Sequence, residues 1–112
     1  MLSISTYWLG EDEAIEGWLQ KIQRYGFDAV ELGYRTTHET LKEFEPLLKK
    51  YKIRVSSLHN FCPAPNDGDT ERHPSNHYRL SAVDEQERLK AVEWTNNTID
   101  TAKQVGAGVV VI

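Results

Sequence analysis

Residues 26–33, GFDAVELG, contain the local signals that decide the fold. Gly26 can adopt the left-handed conformation that ends a helix, because it has no Cβ to clash with the backbone. The residues after it alternate in character, so Val30 and Leu32 lie on one face of a predicted strand and Glu31 on the other. A helix that ends directly before such a strand is typical of an α/β chain.

Strands and helices alternate along the rest of the chain. Before Gly26, apolar residues at offsets of 0, 3, 4, 7 and 10 from Ile15 predict one buried helical face. The resulting order, βαβαβαβ, predicts a single α/β domain over residues 1–112 with a parallel sheet, because parallel strands need long crossover connections. The predicted strands are about 2–7, 27–33, 52–60 and 108–112, and the predicted helices are about 11–25, 38–51 and 85–105.

Local features predict how the helices begin and which way they face. The acidic residues 11–13 predict the start of the first helix, because carboxylates stabilise the unpaired amides there. Pro46 predicts a kink or a late start in the second helix, and Asp84 followed by Glu87 predicts the start of the third. The residues of the third helix that we expect to face the core are Leu89, Val92, Ile99 and Ala102.

The third predicted strand leads into a long connection. Residues 61–83 contain three of the four prolines, and they predict a functional or a mobile loop. In the strand itself, regular alternation predicts two faces. These faces are Val55, Ser57 and His59 on one side, and Ser56 and Leu58 on the other.

Two parallel architectures fit this order of elements, a small open doubly wound sheet and the first half of a (β/α)₈ TIM barrel. Val109–Ile112 is a continuous apolar run, typical of a strand that is covered on both faces, and no helix follows it in the sequence. Polar residues at alternate strand positions favour the barrel, whose interior turns polar where it lines an active site. The polar residues expected to point inward are Ser3, Ser5, Tyr7, Glu31, Ser57 and His59.

The composition argues against several classes of partner. Seventeen acidic residues outnumber thirteen scattered basic ones, for a net charge of −4, so we expect no binding to nucleic acid. The single cysteine cannot form an internal disulfide, which indicates either a reducing compartment or no constraint on the compartment. The sequence has neither a signal-peptide pattern nor a long apolar segment, so we expect no membrane association and a cytoplasmic location.

Glu31 and His59 are the candidate catalytic residues. They end adjacent predicted strands on the same face, and the carboxyl ends of parallel strands meet at one edge of a sheet. A carboxylate and an imidazole so placed can bind a sugar hydroxyl, orient each other or help to hold a divalent metal. The alternative for Glu31 is a purely structural ion pair with Arg35.

Three further residues are candidates for substrate binding. Tyr7 and Trp8 follow the first strand at the same edge, where aromatic rings can form the wall of a carbohydrate pocket. For Trp8 ordinary hydrophobic packing is an equally good explanation. Cys62 follows the third strand and has no basic neighbour in the sequence, so we expect an inert or substrate-contacting thiol.

Three segments together resemble a known superfamily: GFDAVEL at 26–32, SLHNFCP at 57–63 and GAGVVVI at 106–112. They are similar to the N-terminal half of xylose isomerase-like TIM barrels, in the sugar phosphate isomerase and epimerase branch related to endonuclease IV. The resemblance implies that Glu31 and His59 lie at the active-site rim, and that Tyr7 and Cys62 are pocket residues. It also implies a divalent metal, Mn, Mg, Co or Zn, whose ligands lie mostly outside this chain.

The expected function is therefore the isomerisation or epimerisation of a ketose or other small sugar derivative by metal-assisted proton transfer. We expect this chain to be inactive by itself, because the resemblance places the metal-binding residues on later strands. Two alternatives remain open. One is metal-dependent phosphodiester cleavage like that of endonuclease IV, and the other is a non-catalytic half-barrel module that forms homo-oligomers through its open strand edges.

Overall fold

The structure, a computed structural model, describes residues 1–67 and 71–112. Within these ranges strands and helices alternate as the sequence predicts. Part of the predicted loop 61–83 lies outside the described residues. The main elements are β1 (Ser3–Ser5), α1 (Ile15–Arg24), β2 (Ala29–Leu32), α2 (His38–Tyr51), β3 (Arg54–His59), α3 (Glu85–Val105) and β4 (Val110–Val111).

The strands form one parallel sheet in the order β1-β2-β3-β4. Strands that are neighbours in the sequence are therefore neighbours in the sheet. A doubly wound sheet reverses its strand order at a switch point, whereas a (β/α)₈ barrel keeps the sequential order. The fold is thus α/β with the architecture of the first half of a TIM barrel, and the doubly wound alternative is excluded for the described sheet.

Helices α1 and α2 cover one face of the sheet. Their apolar residues recur every three or four positions, so each helix buries a single stripe. The stripes pack against Val30, Leu32 and Leu58, which are fully buried. Each such side chain contributes about 1.5–3 kcal/mol of hydrophobic free energy. The helical residues of this cluster are Ile15, Trp18, Leu19, Ile22, Leu41, Phe44 and Leu48.

Strand β3 contains a β-bulge that changes which of its residues face the helices. Its pairing with β2 jumps from Val30–Val55 to Glu31–Ser57, so Ser56 is an extra residue. Because of this extra residue, Val55 and Leu58 both lie in the helix-covered core. The prediction that Val55 shares a face with Ser57 and that Ser56 lies with Leu58 was therefore wrong.

The helices begin at residues that differ in part from the predicted ones. Helix α1 starts at Ile15, and the acidic residues 11–13 precede it in a turn, where the Glu13 carboxylate accepts a hydrogen bond from the Gly10 amide at 3.3 Å. Helix α2 starts at His38 as predicted, because Thr37 and Thr40 form a reciprocal cap. It continues through Pro46 without a late start.

Helix α3 packs on the sheet through a different stripe from the predicted one. Three of the four expected residues are exposed, Leu89 by 49%, Val92 by 39% and Ile99 by 40%, whereas Ala102 is buried as predicted. The segment that follows β3 lies against α3 and forms hydrogen bonds with side chains of that helix. The buried stripe is Ala91, Trp94, Thr98, Thr101 and Ala102.

The second face of the sheet carries no helix in the described part of the chain. Val110 of β4 packs against the core, but Val111 of the same strand and the flanking residues Val109 and Ile112 are exposed. The expectation that this strand is covered on both faces is thus not met in this structure. No helix among the described residues combines the length and the apolar character needed to cross a membrane.

We predict that two leucine-to-alanine substitutions will have very different effects on stability. Leu58→Ala removes a fully buried side chain and should lower the free energy of unfolding by about 2–5 kcal/mol. Leu89→Ala, on the exposed side of α3, should lower it by less than about 1 kcal/mol. Urea unfolding of both variants checks this, and equal losses would show that Leu89 faces the core after all.

Candidate functional site

A cleft of about 220 Å³ lies at the carboxyl ends of β1, β2 and β3. It opens on the face of the sheet that the helices leave uncovered. Strand pairing brings its polar residues together, because Ser5 is the register partner of Glu31, and Glu31 is the register partner of Ser57. The polar and aromatic side chains that line it include Ser5, Tyr7, Glu31, Tyr34, Arg35 and His59.

The Glu31 carboxylate is held by the neighbouring strand. Ser57 donates a hydrogen bond from its hydroxyl to Oε2 of Glu31 at 2.7 Å. The bulge in β3 makes this contact possible, since it brings Ser57 rather than Ser56 opposite Glu31. The carboxylate is therefore oriented toward the cleft by a partner that is itself fixed in the sheet.

His59 lies one layer further along β3 and lines the same cleft. A Cβ atom added to Gly33, two residues after Glu31, would lie 3.7 Å from the Cβ of His59. The Nδ1 atom of His59 is 3.0 Å from the carbonyl oxygen of Asn60, and a carbonyl oxygen can only accept. Nδ1 therefore donates its proton there, and Nε2 of the neutral ring is left as an acceptor.

Asn60 fixes the backbone directly after His59. The side-chain amide nitrogen of Asn60 donates a hydrogen bond to the Thr95 hydroxyl at 2.9 Å, and its side-chain oxygen accepts one from the Thr98 hydroxyl at 3.0 Å. The Thr98 hydroxyl also accepts a hydrogen bond from the backbone amide of Cys62 at 3.0 Å. Helix α3 thereby holds the chain directly after His59, and these hydrogen bonds explain why the polar Thr98 occupies its buried stripe.

Tyr7 forms one wall of the cleft, as predicted, with two partners that the sequence analysis did not assign to the site. Its ring centroid lies 6.3 Å from that of Tyr34 and 4.8 Å from the guanidinium carbon of Arg35. Arg35 donates from Nη1 to the carbonyl oxygens of Tyr7 and Leu9, both at 3.1 Å, so its contacts in this structure are with the β1 loop rather than with Glu31. Tyr34 and Arg35 follow β2 closely in the sequence, and this position near the carboxyl end of a strand could have identified them as cleft residues.

The other two candidates lie away from the cleft lining. Trp8 is 70% exposed, and its ring is perpendicular to that of Tyr7 at a centroid separation of 6.3 Å. Cys62 is fully buried in the hydrophobic core instead of contacting the cleft. Burial raises the pKa of its thiol to about 12, and the neighbouring Thr36 hydroxyl offsets part of this rise.

The described residues do not form a metal site by themselves. Within 1–67 and 71–112, no three His, Cys, Asp or Glu side chains are grouped so that they could hold a metal ion. Glu31 and His59 are the two side chains of these types that line the cleft. A protein metal site usually takes three or more such ligands, so the described residues provide part of a ligand set at most.

A comparison with protein families connects this geometry to known proteins. The model of the family described as xylose isomerase-like TIM barrel matches residues 19–112, which include β2, β3 and β4 and therefore Glu31 and His59. A search of curated proteins gave no match.

We predict that Cys62 will be protected from alkylation in the folded protein. A thiol with a pKa of about 12 has almost no thiolate near neutral pH, and the thiolate is the reactive form. Iodoacetamide should therefore modify the native chain far more slowly than the chain in concentrated urea, as followed by mass spectrometry. Because the sequence has one cysteine, the Cys62→Ala variant is a complete blank. Equal rates in both states would place the thiol at the surface.

Proposed function

We propose that this chain, which belongs to the xylose isomerase-like TIM barrel family, forms the sugar-binding side of an isomerase or epimerase active site. One observation carries the proposal: Glu31 and His59, from adjacent parallel strands, line a single cleft at the carboxyl ends of those strands. Active sites of (β/α)₈ enzymes lie at this end of the barrel.

The groups in the cleft suit the recognition of a polyhydroxy compound. The Glu31 carboxylate accepts hydrogen bonds from hydroxyl groups, and its orientation by Ser57 lowers the entropic cost of doing so. Nε2 of His59 is a second acceptor. The rings of Tyr7 and Tyr34 provide apolar surface for the C–H faces of a sugar. This combination of acceptors and rings is typical of carbohydrate sites.

The same two acceptors suit the chemistry of sugar isomerisation. In the enediol route, a carbonyl group moves along a sugar, or a carbon beside it is inverted, when a base takes a proton from the carbon next to the carbonyl and a proton is then returned to the neighbouring carbon or to the opposite face of the same carbon. A carboxylate or a neutral imidazole at the substrate can take or return that proton. We assign Glu31 and His59 to hydroxyl binding and proton transfer. The divalent metal that the resemblance implies has no complete ligand set among the described residues.

We predict that Glu31→Gln and His59→Ala will each weaken ketose binding by about tenfold, the scale of one lost hydrogen bond to a charged or well-oriented group. D-fructose is the probe, and titration of the ¹⁵N-labelled chain followed by NMR reports both affinity and location. Cleft residues should shift in the unsubstituted chain. Because His59 is exposed, His59→Ala should leave the urea midpoint unchanged.

Glu93→Gln is the matched control for the carboxylate. Glu93 is exposed on α3, outside the cleft, and its substitution should leave the affinity unchanged. If D-fructose shifts no cleft resonance, or if Glu31→Gln and Glu93→Gln bind equally well, the cleft is not a sugar site.

A further inference from the structure

Arg35 is bound to the turn that carries Tyr7. This short 3₁₀ turn, Thr6–Trp8, follows β1 and is capped by Ser5, whose hydroxyl accepts from the Tyr7 amide at 3.2 Å. The carbonyl groups at its other end receive both hydrogen bonds of Arg35 Nη1. The turn is thus closed at one end by its own strand and at the other by a residue 28 positions away in the sequence.

The guanidinium group also lies over the ring of Tyr7. The separation of 4.8 Å from the ring centroid is within the range of a cation–π contact. Tyr7 is 55% exposed, so core packing restrains it little. The contact with Arg35 therefore adds to the ring contacts with Trp8 and Tyr34 in restraining Tyr7 at the wall of the cleft.

The charges around the cleft favour a neutral ligand. Among the described residues, Arg35 is the one arginine or lysine that lines the cleft. Its Nη1 atom donates to the turn after β1, and its guanidinium group lies over the ring of Tyr7 in that turn. The oriented carboxylate of Glu31 opposes the approach of a phosphate group. The rest of the binding surface consists of hydroxyls, an imidazole and aromatic rings.

We propose that Arg35 is a positioning residue that holds Tyr7 against the substrate, and that the cleft binds an uncharged ketose in preference to its phosphate ester. This inference rests on the proposed function, since it names the substrate class of the same site. An anion-binding arginine at this position would give the opposite selectivity, so the two roles can be separated experimentally.

The experiment compares D-fructose with D-fructose 6-phosphate, each titrated into the ¹⁵N-labelled full chain. The variants are Arg35→Gln, Arg35→Lys, Tyr7→Leu and the Tyr7→Leu/Arg35→Gln double variant. Arg24→Gln, at the distant end of α1, is the matched control for loss of one positive charge. Urea midpoints accompany each titration, and the salt dependence of binding is measured for both sugars.

The unsubstituted chain should bind D-fructose more tightly than its phosphate, with little effect of salt. Arg35→Gln should weaken D-fructose binding by about tenfold and shift the Tyr7 resonances. Arg35→Lys should not restore it, because the ammonium group of lysine is a compact, strongly hydrated point charge and lacks the flat guanidinium plane that lies over the Tyr7 ring. In the Tyr7→Leu background, Arg35→Gln should cost nothing further, which is the signature of two residues that act as one unit.

Other outcomes overturn the inference without touching the proposed function. If the phosphate ester binds more tightly in a salt-dependent way, and Arg35→Gln removes only that advantage, Arg35 is an anion-binding residue. If Arg35→Gln leaves D-fructose binding unchanged, then Arg35 does not position Tyr7.

Should Arg35→Gln fail to fold, the two sugars still decide the substrate class in the unsubstituted chain. If neither sugar shifts the cleft resonances, the proposed function itself fails.

Discussion

The packing of helices on one face of a parallel sheet determines where the chemistry of this chain lies. Side chains alternate along a strand, so burying Val30 and Leu32 under α1 and α2 sends Glu31 to the opposite face. A carboxylate under those helices would be costly, because a buried charge without a partner is strongly unfavourable. The apolar core thus selects both the register of the sheet and the face on which the polar strand ends meet.

The sequence was sufficient to predict the parts of the fold that depend on short-range signals. The order of the elements, the buried stripe of α1 from Ile15 to Ile22 and the common cleft of Glu31 and His59 follow from local periodicity, and the structure shows all three. The β-bulge at Ser56 was missed because its cause is not local. The sequence of residues Arg54–His59 is compatible with regular alternation and with a bulge. Contacts of β3 with β2 and with the helices select the bulged arrangement.

The inward face of α3 is a second feature that local sequence patterns could not predict. Leu89, Val92 and Ile99 form a plausible apolar stripe, yet the helix turns Thr98 inward. Asn60 and the Cys62 amide require hydrogen-bonding partners there, and leaving them unpaired in the interior costs about 1–3 kcal/mol per group. Hydrogen bonds to the polar groups of the neighbouring segment therefore outweigh the burial of a few aliphatic side chains. The sequence of the helix alone contains no information about those groups.

The contacts that stabilise the sheet are also the contacts that orient the candidate site. Ser57 reaches the carboxylate of Glu31 only because the strands pair in this register. The backbone carbonyl oxygen of Asn60 accepts a hydrogen bond from Nδ1 of His59, and α3 holds this part of the backbone in place. Arg35 restrains the turn after β1 from the loop after β2. Each functional group is thus oriented by an adjacent strand, loop or residue, so a shift in strand register would disturb the core and the cleft together.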